Sequence, residues 1–138
     1  MNASCKSLCD AFANAIVKRD FERAHSLLAP WLKQTMNPSE IQRMVDAENE
    51  GLEHQPHSWN AWDVMLELGD LQPDPYGPPS RPIPNQITQK NFKGWLQIQF
   101  APESSVHDVQ NVCYDIWLAA VEHDDSLLVG YFEAWETT

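Results

Sequence analysis

The stretch "NVCYDIWLAAVEHDDSLLVGYFEAWE", Asn111 to Glu136, decides the fold of this chain. It reads as two β-strands joined at His123-Asp124-Asp125-Ser126. A surface hairpin ordinarily alternates between a buried and a wetted face. Here both faces are apolar. Pairing across a two-residue turn at Asp124-Asp125 sets Val121, Ala119, Trp117 and Asp115 beside Leu128, Gly130, Phe132 and Ala134. The other face then carries Ala120, Leu118, Ile116 and Tyr114 with Val129, Tyr131, Glu133 and Trp135. A three-residue turn reshuffles these pairs, but neither face suits water under any register. Something must cover both, and two carboxylates, Asp115 and Glu133, are set into them.

Working toward the N-terminus, "FKGWLQIQFAP" is a strand by plain alternation. Leu96, Ile98 and Phe100 take one face, and Trp95, Gln97 and Gln99 the other. "WNAWDVMLELGD" is read as an earlier strand in which Val64, Leu66 and Leu68 alternate with Met65 and Glu67. Between them lies "LQPDPYGPPSRPIPNQ", with six prolines from Pro73 to Pro84. No helix or central strand survives that density. The halves on either side are each too short for a separate core, so residues 72–85 form a stiff loop within a single domain spanning 1–138. It is expected to dock on the domain, with Tyr76 and Ile83 as anchors.

The first half is helical. Cys5, Leu8, Cys9, Phe12, Ala15 and Ile16 make one apolar stripe over Ser4 to Arg19. Asp20 caps a second helix, "FERAHSLLAP", which Pro30 stops. A third begins with Asn37 as N-cap, Pro38 at the first helical position and Glu40 closing a capping box, and Gly51 offers a left-handed end. The order is three N-terminal helices, then an antiparallel sheet. That is an α+β domain with helices packed on one side of a strongly curved sheet. Phe12, Ile16, Leu28, Leu96, Ile98 and Phe100 are expected in its core.

Composition narrows the function. The formal net charge is −11, and no Lys or Arg follows Lys93. From Arg43 to Arg81 there is again no basic side chain, against eight acidic ones. Nucleic acids and anionic membrane surfaces call for the opposite sign. No stretch is long and apolar enough to span a bilayer, and the N-terminal residues lack the apolar core of a signal peptide. The three cysteines, an odd count, then point to reduced thiols in a cytoplasm. The pattern lacks CxxC, HExxH, a calcium loop and a glycine-rich phosphate loop, so no metal and no cofactor is expected. His54 and His57 flank Gln-Pro, a turn that imposes no metal geometry, and His107 and His123 are read as loop residues.

The first helix with its continuation, "AIVKRDFERAHSLLAP", the capped helix from Asn37 and the closing "YDIWLAAVEHDDSLLVGYFEAWE" together resemble the nuclear transport factor 2-like superfamily. That resemblance implies a cone-shaped, cystatin-like α+β fold. It also implies an inner sheet face packed on the helices and lining a ligand pocket, and an outer face buried against a second subunit. Candidate pocket residues on this reading are Trp62, Asp63, Asp115, Trp117, Tyr131 and Glu133. Asp63 occupies a place like that of the carboxylate base in ketosteroid-isomerase-like members. The inward stripe of the first helix offers Cys9, Phe12 and Ile16 but no tyrosine to polarise a carbonyl, so Asp63 is read as a margin or surface carboxylate. Asp115 and Glu133 either serve as acid or base with raised pKa values or hydrogen-bond to Trp and Tyr donors, and the second is preferred.

Three functions stay open. The first is a non-catalytic module binding a small apolar molecule or a protein, and forming a homodimer through the outer sheet face. The second is a small enzyme of lyase, isomerase or hydrolase type using a pocket carboxylate. The third is an acidic inhibitor or immunity-like protein that masks a basic partner.

Overall fold

The structure is a computed structural model and describes residues 1–102 and 113–136. Among these residues four helices precede a four-stranded antiparallel sheet, so the fold is α+β. Helix α1 (Ala3–Val17) is capped by Asn2, whose side chain accepts the Cys5 amide at 2.7 Å. Helix α2 (Phe21–Ser26) starts from Asp20 as expected but ends four residues before Pro30. Pro30 does not stop a helix; it opens one more, the single turn α3 (Pro30–Lys33). A proline has no N–H to lose at a first helical position, and its fixed φ already suits the turn. The expectation of three N-terminal helices is corrected to four over residues 3–49 for this reason. Helix α4 (Pro38–Asn49) carries the full capping box: Glu40 N donates to Asn37 Oδ1 at 2.9 Å and Asn37 N to Glu40 Oε1 at 3.2 Å. Gly51 follows at φ +82°, the left-handed position that glycine takes without a Cβ penalty.

The strands are β1 (Ser58–Val64), β2 (Phe92–Ala101), β3 (Tyr114–His123) and β4 (Ser126–Glu136), paired in that order. The first strand stops at Val64, short of the alternation expected to run through Leu68. Met65 is 88% exposed, and Leu68–Asp70 is a 3-10 turn. Met65 and Leu66 mimic strand alternation in sequence but have no β2 partner, because β2 pairing ends at Trp95 opposite Val64.

One sheet face packs on the helices. Leu96, Ile98, Phe100, Tyr114, Ile116, Leu118 and Phe132 meet Phe12, Ile16, Leu28, Ile41 and Val45 in a continuous core. All six residues expected in the core are at most 2% exposed. Phe12 meets Phe132 edge-on at 5.3 Å between ring centroids.

The opposite, outer face has its own cluster. Trp95, Ala119, Val121 and Tyr131 are buried beneath Leu68, Leu71, Ile83 and Ile87 from the segment between β1 and β2, with Ala29 and Trp31 at the β4 margin. The proline-rich loop is thus part of a strap across the outer face. Ile83 anchors it as expected, but Tyr76 is 92% exposed. Tyr76 sits at a tight turn in which its own amide donates to Asp74 Oδ1 at 2.8 Å, so the chain reverses and presents the ring to solvent. Leu71 and Ile87, at 4% and 5% exposure, do the anchoring expected of Tyr76. Beyond β4, Ala29 N donates to Val129 O at 2.8 Å and Val129 N to Leu27 O at 2.9 Å, which shields part of that sheet edge.

The hairpin turns at Asp124-Asp125, both at positive φ (49° and 64°), as a two-residue turn requires. Its register then departs from simple pairing. Ala120 faces Val129 but Ala119 faces Tyr131, so Gly130 is an extra residue, a β-bulge. From Tyr131 onward every β4 side chain changes face. Tyr131, Glu133 and Trp135 therefore join Ala119, Trp117 and Asp115 on the outer face, whereas unbulged pairing assigns them to the face of Tyr114.

Candidate functional site

Cross-strand register lays out the outer face in rows. Trp62, Gln97, Trp117 and Glu133 form one row; Asn60, Gln99, Asp115 and Trp135 form the next. Val64, Trp95, Ala119 and Tyr131 lie on the other side of the first. Neighbours in a row are about 4.8 Å apart. Five of the six sequence candidates, Trp62, Asp115, Trp117, Tyr131 and Glu133, are therefore together. Asp63 is not. It pairs with Leu96, has the parity of Trp59 and Ala61, and lies on the helix side beside a shallow depression lined by Met65, Leu66, Phe92 and Lys93.

The aromatic groups are ordered by stacking. Trp95 is 1% exposed, with Trp117 on one side at 6.1 Å and 27° and Tyr131 on the other at 6.1 Å and 25°. Arg81 from the strap places its guanidinium carbon 5.6 Å from the Tyr131 ring centroid. Trp62, Trp117 and Trp135 are half-buried, and Asn60 beside them is exposed.

Glu133 is a clamp. The amide of Ser80 donates to Oε1 at 2.7 Å, the Ser80 hydroxyl to Oε2 at 2.6 Å, and the Tyr131 hydroxyl to Oε1 at 2.9 Å. Three donors hold one carboxylate, and the two from Ser80 fasten the strap to the sheet. Burial, and then the hydrogen bond and charge of Glu133, push Tyr131 up to about 12, while Arg81 offsets part of that rise.

Asp115 is different. It is 8% exposed, and Gln97 Nε2 donates to its Oδ2 at 2.8 Å. Burial pushes its pKa up, with Gln97 and the neighbouring Gln99 amide pulling the other way. Its Oδ1 meets no donor with hydrogen-bond geometry among the described residues, and neither does Nε1 of Trp135, directly across the strands, meet an acceptor. Two orphaned buried groups side by side carry an unfavourable desolvation term.

Asp115 and Glu133 are diagonal neighbours rather than a facing pair. Glu133 already accepts three hydrogen bonds under the strap, so the two carboxylates do not converge on an open cavity as paired acid and base.

On the helix side, the Tyr114 ring stacks on Phe100 at 5.0 Å, and its hydroxyl and Glu48 Oε2 are both buried without a partner among the described residues. Burial, and secondarily the charge of Glu136, raises the Glu48 pKa. Cys9 is fully buried and its thiol is pushed by burial to about 12, that of a packing residue rather than a nucleophile. No group of three His, Cys, Asp or Glu among the described residues is placed to hold a metal. His107 lies outside the described residues. No helix among them is long and apolar enough to cross a membrane.

Alternation in "WLQIQF" already put Trp95, Gln97 and Gln99 on one face. Ser80 and Arg81 carried no sequence signal, since a loop residue reveals its carboxylate partner only once the loop is placed. No protein-family model, no curated protein and no solved structure matches the chain.

Proposed function

We propose that this chain is a non-catalytic binding module of nuclear transport factor 2-like, cone-shaped build, and that it binds a protein partner through the part of the outer sheet face next to β1. The order of helices and antiparallel strands supports the fold reading. One observation carries the functional one: beside the strap, Trp62, Trp117 and Trp135 stand half-buried among Asn60, Gln97 and Gln99. Interface cores favour large aromatics with few charges, and a polar rim suits a partner that comes and goes. The enzyme reading loses support because both oxygens of Glu133 are already engaged by Ser80 and Tyr131. The helix-facing side of the sheet is filled by side chains, which removes support from an apolar small-molecule ligand held there.

The homodimer belongs to the same proposal as one form of partner. A homodimer is called for where the apolar outer face is bare. The strap covers Trp95, Ala119 and Tyr131, so a second copy has only the rows from Trp62 to Trp135 left to bury.

The test is site-specific photo-crosslinking in cells that express the chain. A photoreactive side chain goes in at Asn60, with a control at Ser39, an exposed position on α4. The expected result is a discrete adduct from position 60 that is absent from position 39. An adduct of twice the chain's mass identifies a second copy. No adduct at 60, or the same adducts from both positions, sinks the proposal.

A further inference from the structure

The outer face holds one ring-plus-carboxylate arrangement twice. In the first, the Tyr131 ring and the buried Glu133 lie side by side, and the chain's own Arg81 sets its guanidinium on the ring. In the second, one row along each strand, Asp115 is flanked by Trp117, two residues further on the same strand face, and by Trp135 directly across. Here the carboxylate is 8% exposed, one oxygen is held by Gln97, and the other has no donor among the described residues. The first arrangement has its cation and the second does not.

We propose that Asp115, Trp117 and Trp135 form a receptor for the guanidinium of an arginine on a basic partner protein. This rests on the outer face being the binding surface and names the chemistry recognised there. The residues outside the described part of the chain cannot supply the arginine, because no Lys or Arg occurs after Lys93. A guanidinium suits the site better than an ammonium. It is planar, stacks on an indole face, sheds water at lower cost, and keeps N–H groups at its edge to donate to Oδ1. The half-buried indole of Trp135, at the end of edge strand β4, is the wall that turns aside to admit it. A net charge of −11 draws a basic partner toward this surface before contact. The ionised carboxylate is the form that binds, so affinity falls as pH drops through the Asp115 pKa, which burial has raised.

The test uses the full chain with ¹⁵N-labelled tryptophan and two small probes, acetyl-arginine amide and acetyl-citrulline amide. Citrulline keeps the shape and removes the charge. The expected result is a saturable shift of the Trp135 indole N–H with the arginine probe, none with citrulline, and weaker binding in high salt. Asp115→Asn should weaken arginine binding about tenfold or more. Should that variant fold poorly, the citrulline comparison on the unaltered chain still decides. No saturable shift, or equal shifts with both probes, overturns the guanidinium site. It leaves the crosslinking result at Asn60 untouched, so failure of this receptor and failure of the binding face are separately visible.

Discussion

Replacing Gly130 with alanine tests the bulge that places the outer-face residues. A Cβ built on Gly130 would lie 2.7 Å from Cγ1 and 3.1 Å from Cγ2 of Val121, and 3.2 Å from Cδ1 of Ile87. Val121 is fully buried and Ile87 is 5% exposed, so neither can step into solvent. The φ of Gly130 is not in the left-handed region, so the cost is steric rather than conformational. Forcing a methyl into packed surroundings costs about 1–3 kcal/mol. The stiffer unfolded chain of alanine returns about 0.4–1 kcal/mol. The net loss is about 1–2 kcal/mol. With a urea slope of about 2 kcal/mol per molar, mid-range for a small domain, the midpoint falls by roughly 0.5–1 M. Urea unfolding followed by tryptophan fluorescence reads it. Gly69→Ala is the control, since nothing lies within 4 Å of a Cβ there, and it should shift stability by no more than about 0.5 kcal/mol. Val121→Ala opens the space, so the Gly130→Ala and Val121→Ala double variant should be less destabilised than the sum of the singles, by at least about 0.5 kcal/mol. Gly130→Ala as stable as the parent, or effects that simply add, would refute the packing described around the bulge.

Two other outcomes follow from the same packing. Glu133→Ala removes the acceptor of three hydrogen bonds, and chymotrypsin should then cut after the exposed Tyr76 several-fold faster, while circular dichroism of the helices stays unchanged; equal cleavage rates would show that the strap is held without the clamp. Glu48 has its folded pKa raised by burial above the ordinary 4.5, so the folded state binds its proton more readily than the unfolded one. Its penalty is therefore full at neutral pH and lifts as pH falls through the raised value toward 4.5. Glu48→Gln should stabilise at pH 7 and lose that advantage near pH 4.5, as urea midpoints at the two values will show.

The sequence was most legible where local chemistry governs. Asn37, Pro38 and Glu40 announce α4 by themselves, since a capping box involves only residues within one turn. The core of α1 and β2 was equally plain, because helical and strand periods expose their buried faces. Pro30 misled because a proline that ends one helix and one that opens the next look alike until the chain path is known. Met65 and Leu66 misled because alternation persists past the last paired residue. The candidate site was legible in membership but not in geometry. Asp115, Trp117, Tyr131 and Glu133 were all singled out, yet a simple register splits them between two faces. One glycine with no side chain to report it moved Tyr131 and Glu133 across the sheet. The partner of Glu133 was hidden for another reason: Ser80 lies far away in the sequence, on a loop whose path no local rule fixes.

The stacked column Trp117–Trp95–Tyr131 gives this domain an optical signature of its own. Three ring systems held within about 30° of parallel at 6.1 Å sit in fixed, asymmetric packing, and fixed aromatic packing is what gives near-ultraviolet circular dichroism. Trp95 and Tyr131 of the column lie beneath the strap, with Trp117 at its margin, whereas the helices report in the far ultraviolet. Release of residues 65–91 from the sheet can therefore be watched at one wavelength while the helical layer is watched at another. A domain whose sheet carries helices on one side and a strap on the other thus has a separate light-absorbing gauge for the release of each.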